Sequence, residues 1–171
     1  MTAPKGTDSF TTTNSKNAER KQRQILEEIL SEFPKIETKK ALSVSNICEN
    51  WDYSRLNQKN KKCSEINADG GWLFIDEKLV GVVECKYQSN TQNACERAFK
   101  YLAVPEFLSD PSSIFISCHG KGFEKTEEGA ATGVFIDMCK NIGITIYENP
   151  DNTDLERYFR EWISNLIEKN S

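Results

Sequence analysis

The sequence predicts an α/β fold in which a mixed β-sheet is flanked by helices. Two short apolar runs, at residues 72–75 and 79–87, are separated by a short polar stretch and predict a hairpin of antiparallel strands. A helical stretch and a third buried run at residues 113–118 follow the hairpin, which predicts a crossover to a parallel neighbour. Amphipathic stretches near both ends of the chain predict helices that cover the sheet.

The N-terminal part of the chain divides into a polar segment and a helical one. Residues 1–17 are rich in Thr, Ser, Asn and Lys, which predicts a flexible N-terminal tail. Residues 18–33 carry apolar side chains at helical spacing and end at Pro34, which predicts a helix packed on the core. Residues 36–60 fit a helix or an irregular packed segment. The length of 171 residues predicts that 18–171 form a single domain.

The C-terminal part alternates between helical and strand patterns. A polar loop at residues 121–131 precedes a predicted helix at 132–141, which Gly143 ends. A short strand at 144–147 follows, and then a final helix at 151–169. The apolar stripe of this last helix is wide enough for a core contact, and its width also permits a dimer contact.

Composition excludes several classes of function. Acidic residues outnumber basic ones, 26 to 22, and the net charge of −4 argues against a nonspecific DNA-coating protein. The six cysteines form no C-x-x-C pair, which argues against zinc, and Cys85, Cys118 and Cys139 lie in apolar runs as predicted core residues. The one histidine, His119, argues against histidine-cluster nucleases. The lack of a signal peptide or long apolar stretch predicts a cytoplasmic protein.

The predicted hairpin carries a candidate metal site. Glu84 and Lys86 are two residues apart on one strand and therefore point the same way. Folding the hairpin brings Asp69, at the open end of the other strand, beside Glu84. Two adjacent carboxylates repel unless a cation lies between them, and Mg²⁺ takes carboxylate oxygens, water and phosphate. Lys86 then orients the attacking water or stabilises the transition state, which makes phosphodiester hydrolysis the predicted chemistry.

The stretch after the hairpin predicts a second helix near this site. Asn93 and Arg97 are four residues apart and share one helical face close to its N-terminus. Pro105 predicts that the helix ends near Ala103 or Val104. Asn and Arg suit the edges of bases in the major groove. On these residues alone, an ordinary capped amphipathic helix with a surface Glu-Arg pair is the favoured interpretation.

Three short segments resemble a known family of nucleases. Asp69 with Glu84-Cys85-Lys86 is similar to the Asp…(Asp/Glu)-x-Lys motif of the PD-(D/E)XK nucleases. Segments 68–71, 84–88 and 93–97 read ADGG, ECKYQ and NACER. Together they resemble type II restriction endonucleases of the EcoRI type, whose pattern is Pro-Asp-Gly-Gly, Glu-x-Lys-x-Gln and Asn-Ala-x-Glu-Arg. Ala68 replaces the usual proline, and this chain is shorter than most of that family.

The resemblance implies a restriction-endonuclease-like core and a Mg²⁺-dependent homodimer that cuts a short palindrome in double-stranded DNA. It implies that Asp69 and Glu84 hold the metal, with the backbone carbonyl of Cys85, and that Lys86 is catalytic. It also implies that a set of polar and basic residues contacts DNA within an AATT-containing site. These residues are Gln88, Asn93, Ala94, Glu96, Arg97 and Lys100.

Two other functions use the same features. A repair or recombination nuclease acting on mismatched or branched DNA shares the metal site but does not need the Asn-Ala-x-Glu-Arg motif. A DNA-binding module that has lost activity needs neither, although all three catalytic positions, Asp69, Glu84 and Lys86, are filled here.

Overall fold

A mixed five-stranded sheet forms the centre of the computed structural model, which describes residues 7–43, 65–87, 99–119, 130–148 and 154–171. The spatial order is β1-β2-β3-β4-β5. The first three strands pair in antiparallel fashion, and β4 and β5 extend the sheet in parallel. The predicted α/β class, the hairpin and the parallel crossover are therefore confirmed. The strands are β1 (Glu37–Ser43), β2 (Glu65–Ile75), β3 (Lys78–Tyr87), β4 (Ile114–His119) and β5 (Thr145–Tyr147).

Helices cover both faces of this sheet. They are α1 (Thr7–Ser31), α2 (Pro105–Ser109), α3 (Ala130–Asn141) and α4 (Leu155–Lys169), with 3₁₀ turns at Phe99–Ala103 and Pro111–Ser113. On one face, α1 and α4 contact each other and bury Leu73, Val83 and Phe115. On the other face, the Phe99–Ala103 turn, α2 and α3 bury residues such as Trp72 and Val82. Neighbouring residues thus enter opposite halves of the core, as strand geometry requires. None of the helices described is long and apolar enough to cross a membrane.

The β2–β3 hairpin reverses within two residues. Asp76 and Glu77 both have positive φ, 48° and 64°, which is the backbone of the tight turn that suits antiparallel strands. Asn or Gly adopts this backbone more readily, but the strands on each side are well paired and impose it here. The turn and a register shift of one residue between Leu73 and Phe74 together align Gly71 with Val83, and so fix which residues meet at the far end of the hairpin.

Two predicted elements need correction. Helix α1 begins at Thr7 and not at residue 18, because a helix anchored by packing extends cooperatively into polar sequence. The flexibility predicted for residues 1–17 stays a prediction. Strand β1 occupies the start of the segment 36–60, which was predicted to be a helix or irregular; it is an edge strand with mostly exposed side chains and so lacks an apolar pattern, and residues 44–60 lie outside the described part of the chain. The 3₁₀ turn at Phe99–Ala103 ends where Pro105 predicted the end of a helix, and Pro105 is the first residue of α2, a position that tolerates proline.

Other predicted elements are confirmed with small shifts of their boundaries. Helix α3 ends at Asn141, and Gly143 follows with φ of 98°, as a helix-terminating glycine does. The stripe of α4 is buried in the core, so the structure supports the core reading of that helix. The free thiols of Cys85, Cys118 and Cys139 are buried, as expected.

Candidate metal centre

Asp69 and Glu84 lie side by side at the end of the β2–β3 hairpin, as the sequence predicted. Their carboxyl groups are in hydrogen-bonding contact, and the charge of Asp69 acts directly on Glu84. We call these two residues the acidic pair. The last paired residues at this end of the hairpin are Gly71 and Val83, and Asp69 and Glu84 lie within two residues of that pair.

The two glycines after Asp69 allow the strands to come this close. A Cβ atom at Gly70 would lie 2.3 Å from Cγ1 of Val83 on β3. A Cβ atom at Gly71 would lie 2.4 Å from Cγ2 of Thr38 on β1, and the backbone of Gly71 has φ of 111°. The Asp-Gly-Gly sequence therefore supplies one residue of the acidic pair and also allows the neighbouring strands to pack closely.

Glu84 is a buried carboxylate. Its side chain is 3 % exposed. Burial raises its pKa, while a hydrogen bond from the Tyr101 hydroxyl and the charge of Lys100 lower it and Asp69 raises it again. The Lys100 Nζ atom lies 3.6 Å from Oε2 of Glu84. Burial is the largest of these effects, so the site holds negative charge at a cost that a bound cation would offset.

Helix α1 supplies two further charged groups. Nη2 of Arg23 lies 3.4 Å from Oδ1 of Asp69, and Oε1 of Glu19 lies 3.8 Å from Nζ of Lys86. Glu19 and Arg23 are four residues apart, so both point from one helical face. Each member of the predicted catalytic set therefore has a partner of opposite charge in this arrangement.

Sequence reasoning missed Glu19, Arg23 and Tyr101 as members of the site. Glu19 is the acid of α1 that lies at the site, whereas Glu27 and Glu28 of the same helix are exposed. A signal did exist, because Glu19 lies seven residues before the fully buried Leu26 and therefore on the same face of the helix.

Cys85 points into the opposite half of the core. Its side chain is fully buried between the sheet and the α1–α4 layer, and burial raises the pKa of its thiol. The thiol is therefore a packing group here. The role of its backbone carbonyl as a metal ligand remains a prediction.

The donor set of the acidic pair fits Mg²⁺. Among residues that the structure describes, no three His, Cys, Asp or Glu side chains are grouped to hold a metal ion. Mg²⁺ commonly uses one or two carboxylates and completes its shell with water and phosphate oxygens. The chemistry of two adjacent carboxylates therefore favours Mg²⁺.

Most predicted DNA contacts lie outside the described residues, namely Gln88, Asn93, Ala94, Glu96 and Arg97. Lys100 is described, and it contacts the acidic pair and the backbone oxygen of Asn67, at 2.9 Å. The segment that contains the other five begins just after Lys86 and ends just before Lys100. Lys86 and Lys100, on either side of that segment, both have charged partners in the candidate site.

Comparisons of the chain with protein-family models, curated proteins and solved structures gave no match. The side chains of the site and the motifs of the sequence are therefore the basis for assigning a function. The geometry adds to those motifs the burial of Glu84 and the contacts from α1 and Tyr101.

Proposed function

We propose that this chain is a Mg²⁺-dependent endonuclease that cuts double-stranded DNA. The observation that carries the proposal is the acidic pair, in which a buried Glu84 contacts Asp69 at the end of a hairpin with Lys86 nearby on the same strand. Arg23 and Lys100 offset the repulsion between the two acids only in part, since the pKa of Glu84 stays raised by burial despite the charge of Lys100. A cation-binding role accounts for both the pairing and the burial.

The residues divide the chemistry among them. Asp69 and Glu84 would hold Mg²⁺, which would activate a water and neutralise charge that develops on the phosphate. Lys86 orients the attacking water or donates a hydrogen bond to the phosphate oxygen as charge builds up on it. The carboxylate of Glu19 lies 3.8 Å from the Lys86 ammonium and fixes where that ammonium points. Arg23 fixes Asp69 in the same way.

The specific form that the sequence motif supports is a type II restriction endonuclease. In that case Asn93, Ala94, Glu96 and Arg97 read bases of a palindrome that contains AATT, and Gln88 and Lys100 add contacts to DNA. A palindrome read by one short domain calls for a homodimer with two-fold symmetry, each subunit cutting one strand. The hairpin followed by a parallel β4 is consistent with a restriction-endonuclease-like core. Such an enzyme works on DNA in the cytoplasm.

The test is a cleavage assay on a plasmid of known sequence, with Mg²⁺ or with EDTA. We expect discrete fragments in Mg²⁺, none in EDTA, and ends that map to AATT-containing sites. Asp69→Asn should abolish cleavage. Asp76→Asn makes the same chemical change in the exposed turn of the same hairpin and should leave cleavage unchanged.

The pattern of products separates the alternatives. Fragments that map to another palindrome would retain the nuclease and reject the assignment of the base-reading residues. Cutting of mismatched or branched DNA alone would favour a repair or recombination nuclease. Absence of cleavage on every DNA substrate would reject the nuclease and leave a binding module.

A further inference from the structure

The acidic pair has a lysine of its own chain beside it. Nζ of Lys100 lies 3.6 Å from Oε2 of Glu84 and donates a hydrogen bond to the backbone oxygen of Asn67 at 2.9 Å. The ammonium therefore spans β2 and β3 next to the two carboxylates. Lys100 belongs to the 3₁₀ turn that starts at Phe99, so its side chain reaches the two strands from outside the sheet.

Lys100 and Lys86 face different acids. Lys86 is paired with Glu19 of α1, with its Nζ 3.8 Å from the carboxylate. Lys100 is paired with Glu84 itself. A cation that binds the acidic pair therefore meets the charge of Lys100 at one of its own ligands, and two positive charges at one carboxylate repel.

The Lys100 side chain also reaches the solvent. It is 34 % exposed, whereas the Glu84 side chain is almost wholly buried. Its ammonium lies 4.6 Å from the centre of the Tyr101 ring, and the flexible stem of lysine allows the ammonium to swing into solvent or towards a phosphate. The carboxylate stays in place because the Tyr101 hydroxyl holds the same oxygen atom.

We propose that Lys100 is a resident counter-ion of the metal centre, which neutralises Glu84 in the free protein and which a divalent cation displaces on binding. This inference rests on the proposed function only in assigning Glu84 as a metal ligand. Lys100 is thus a positioning residue that sets how tightly the centre binds its metal. The displaced ammonium is left beside the site where a DNA phosphate would lie.

The experiment measures metal affinity in the absence of DNA. Titration of the full chain with Mn²⁺ and with Mg²⁺ by calorimetry gives the dissociation constant for wild type, Lys100→Met, Lys100→Arg and Lys140→Met. Lys140, in the last turn of α3, is the matched control. Its Nζ atom lies 2.8 Å from Oε1 of Glu148, so this lysine also forms an ion pair with a glutamate. Lys100→Arg keeps the charge at the site.

We expect Lys100→Met to bind the metal more tightly by about tenfold, which corresponds to about 1.4 kcal/mol. Lys100→Arg and Lys140→Met should bind as wild type does. The increase in melting temperature that Mg²⁺ causes should also be larger for Lys100→Met than for wild type. This second measurement compares each variant with itself, so it is valid even if the substitution lowers stability.

Unchanged or weaker metal binding by Lys100→Met, with wild type binding normally, would overturn the inference. So would equal tightening in Lys140→Met, since this would show an effect of net charge alone. Failure of the proposed function looks different. If Lys100→Met binds the metal more tightly but the protein cleaves no DNA, the nuclease function is rejected and the role of Lys100 as a counter-ion is retained.

Discussion

The hydroxyl of Tyr101 donates a hydrogen bond to Oε2 of Glu84, and both side chains are buried. The Tyr101 ring packs edge to face on Trp72 with a centroid separation of 5.3 Å, and Trp72 stacks on Phe107. Core packing therefore fixes the hydroxyl, and the hydroxyl fixes the carboxylate. Through this chain of contacts the aromatic core on one face of the sheet orients a predicted metal ligand.

The first prediction tests this orientation with Tyr101→Phe. The change removes the hydroxyl and keeps the ring, so packing on Trp72 is preserved. We expect cleavage to slow by about tenfold and stability to fall by roughly 1.5–3 kcal/mol, the range for a hydrogen bond to a charged group. Plasmid cleavage rates and urea unfolding provide the two measurements.

Tyr147→Phe is the matched control for that variant. The Tyr147 hydroxyl also donates a hydrogen bond to a carboxylate, Oδ1 of Asp154, at 2.8 Å. Its loss should lower stability while the cleavage rate stays as in wild type. A cleavage rate in Tyr101→Phe equal to that of wild type would show that Glu84 needs no help from Tyr101.

The second prediction concerns the carboxylate that faces Lys86. We expect Glu19→Gln to reduce cleavage several-fold, because the amide no longer holds the Lys86 ammonium by charge. Stability should change by less than about 1 kcal/mol, as expected for an ion pair with partly exposed members. Initial rates at saturating Mg²⁺ separate this effect from one on metal binding.

Glu27→Gln removes an acid from the same helix and is the control. Glu27 pairs with Lys40 of β1 at 2.5 Å, on the surface. The Glu27→Gln variant should cleave DNA as wild type does. If both glutamines slow cleavage equally, the effect comes from α1 as a whole and Glu19 has no particular role.

Strand periodicity predicted the acids of the hairpin, but the sequence did not predict the side chains that other elements contribute to the site. Alternation along β3 separates Glu84 from Cys85, and the hairpin spacing correctly brought Asp69 to Glu84. Arg23 lies 46 positions from its partner Asp69, and no local pattern connects them. Strand β1 was missed for a different reason: an edge strand with exposed charges looks like a loop.

The third prediction tests the close approach of the strands beside Asp69. In Gly70→Ala the new Cβ atom would lie 2.3 Å from Cγ1 of Val83 and 2.9 Å from its backbone oxygen. We expect a loss of about 1–3 kcal/mol in the free energy of unfolding, typical of overpacking, and weaker metal binding as Asp69 moves. Thermal unfolding and metal titration measure the two effects.

A second substitution in the same protein identifies the cause. Val83→Ala removes Cγ1, the atom nearest to the new methyl group, but leaves Cβ of residue 83 at 2.7 Å and the backbone oxygen at 2.9 Å in place. The double variant should be more stable than the sum of the two single effects predicts, with a coupling of about 0.5–3 kcal/mol. Strict additivity would show that the strands adjust without steric conflict.

The fourth prediction is a pH dependence of stability that Glu84 controls. Burial is the main cause that raises the pKa of Glu84 in the folded protein above its ordinary value. For a carboxyl group with a raised folded pKa, the folded state binds the proton more tightly than the unfolded state does. This stabilising contribution is complete below the unfolded pKa and is lost as the pH rises through the folded pKa.

Glu84→Gln removes this contribution, because the amide does not titrate. In EDTA, the stability of the variant relative to wild type should therefore increase as the pH rises from acid to neutral. Glu32→Gln should show the opposite trend. The Arg160 hydrogen bond lowers the pKa of Glu32, so wild type gains stability from this group above its unfolded pKa and loses it as the pH falls.

Urea unfolding of wild type and both variants at a series of pH values provides the test. Parallel curves for wild type and Glu84→Gln would contradict the prediction, since they would mean that Glu84 titrates alike in both states. Repeating the series in Mg²⁺ adds the functional reading, because only wild type keeps both carboxylates and gains stability from the metal. At neutral pH, Mg²⁺ should therefore raise the free energy of unfolding of wild type relative to that of Glu84→Gln. The bound metal then offsets the cost of burying the charged Glu84 carboxylate.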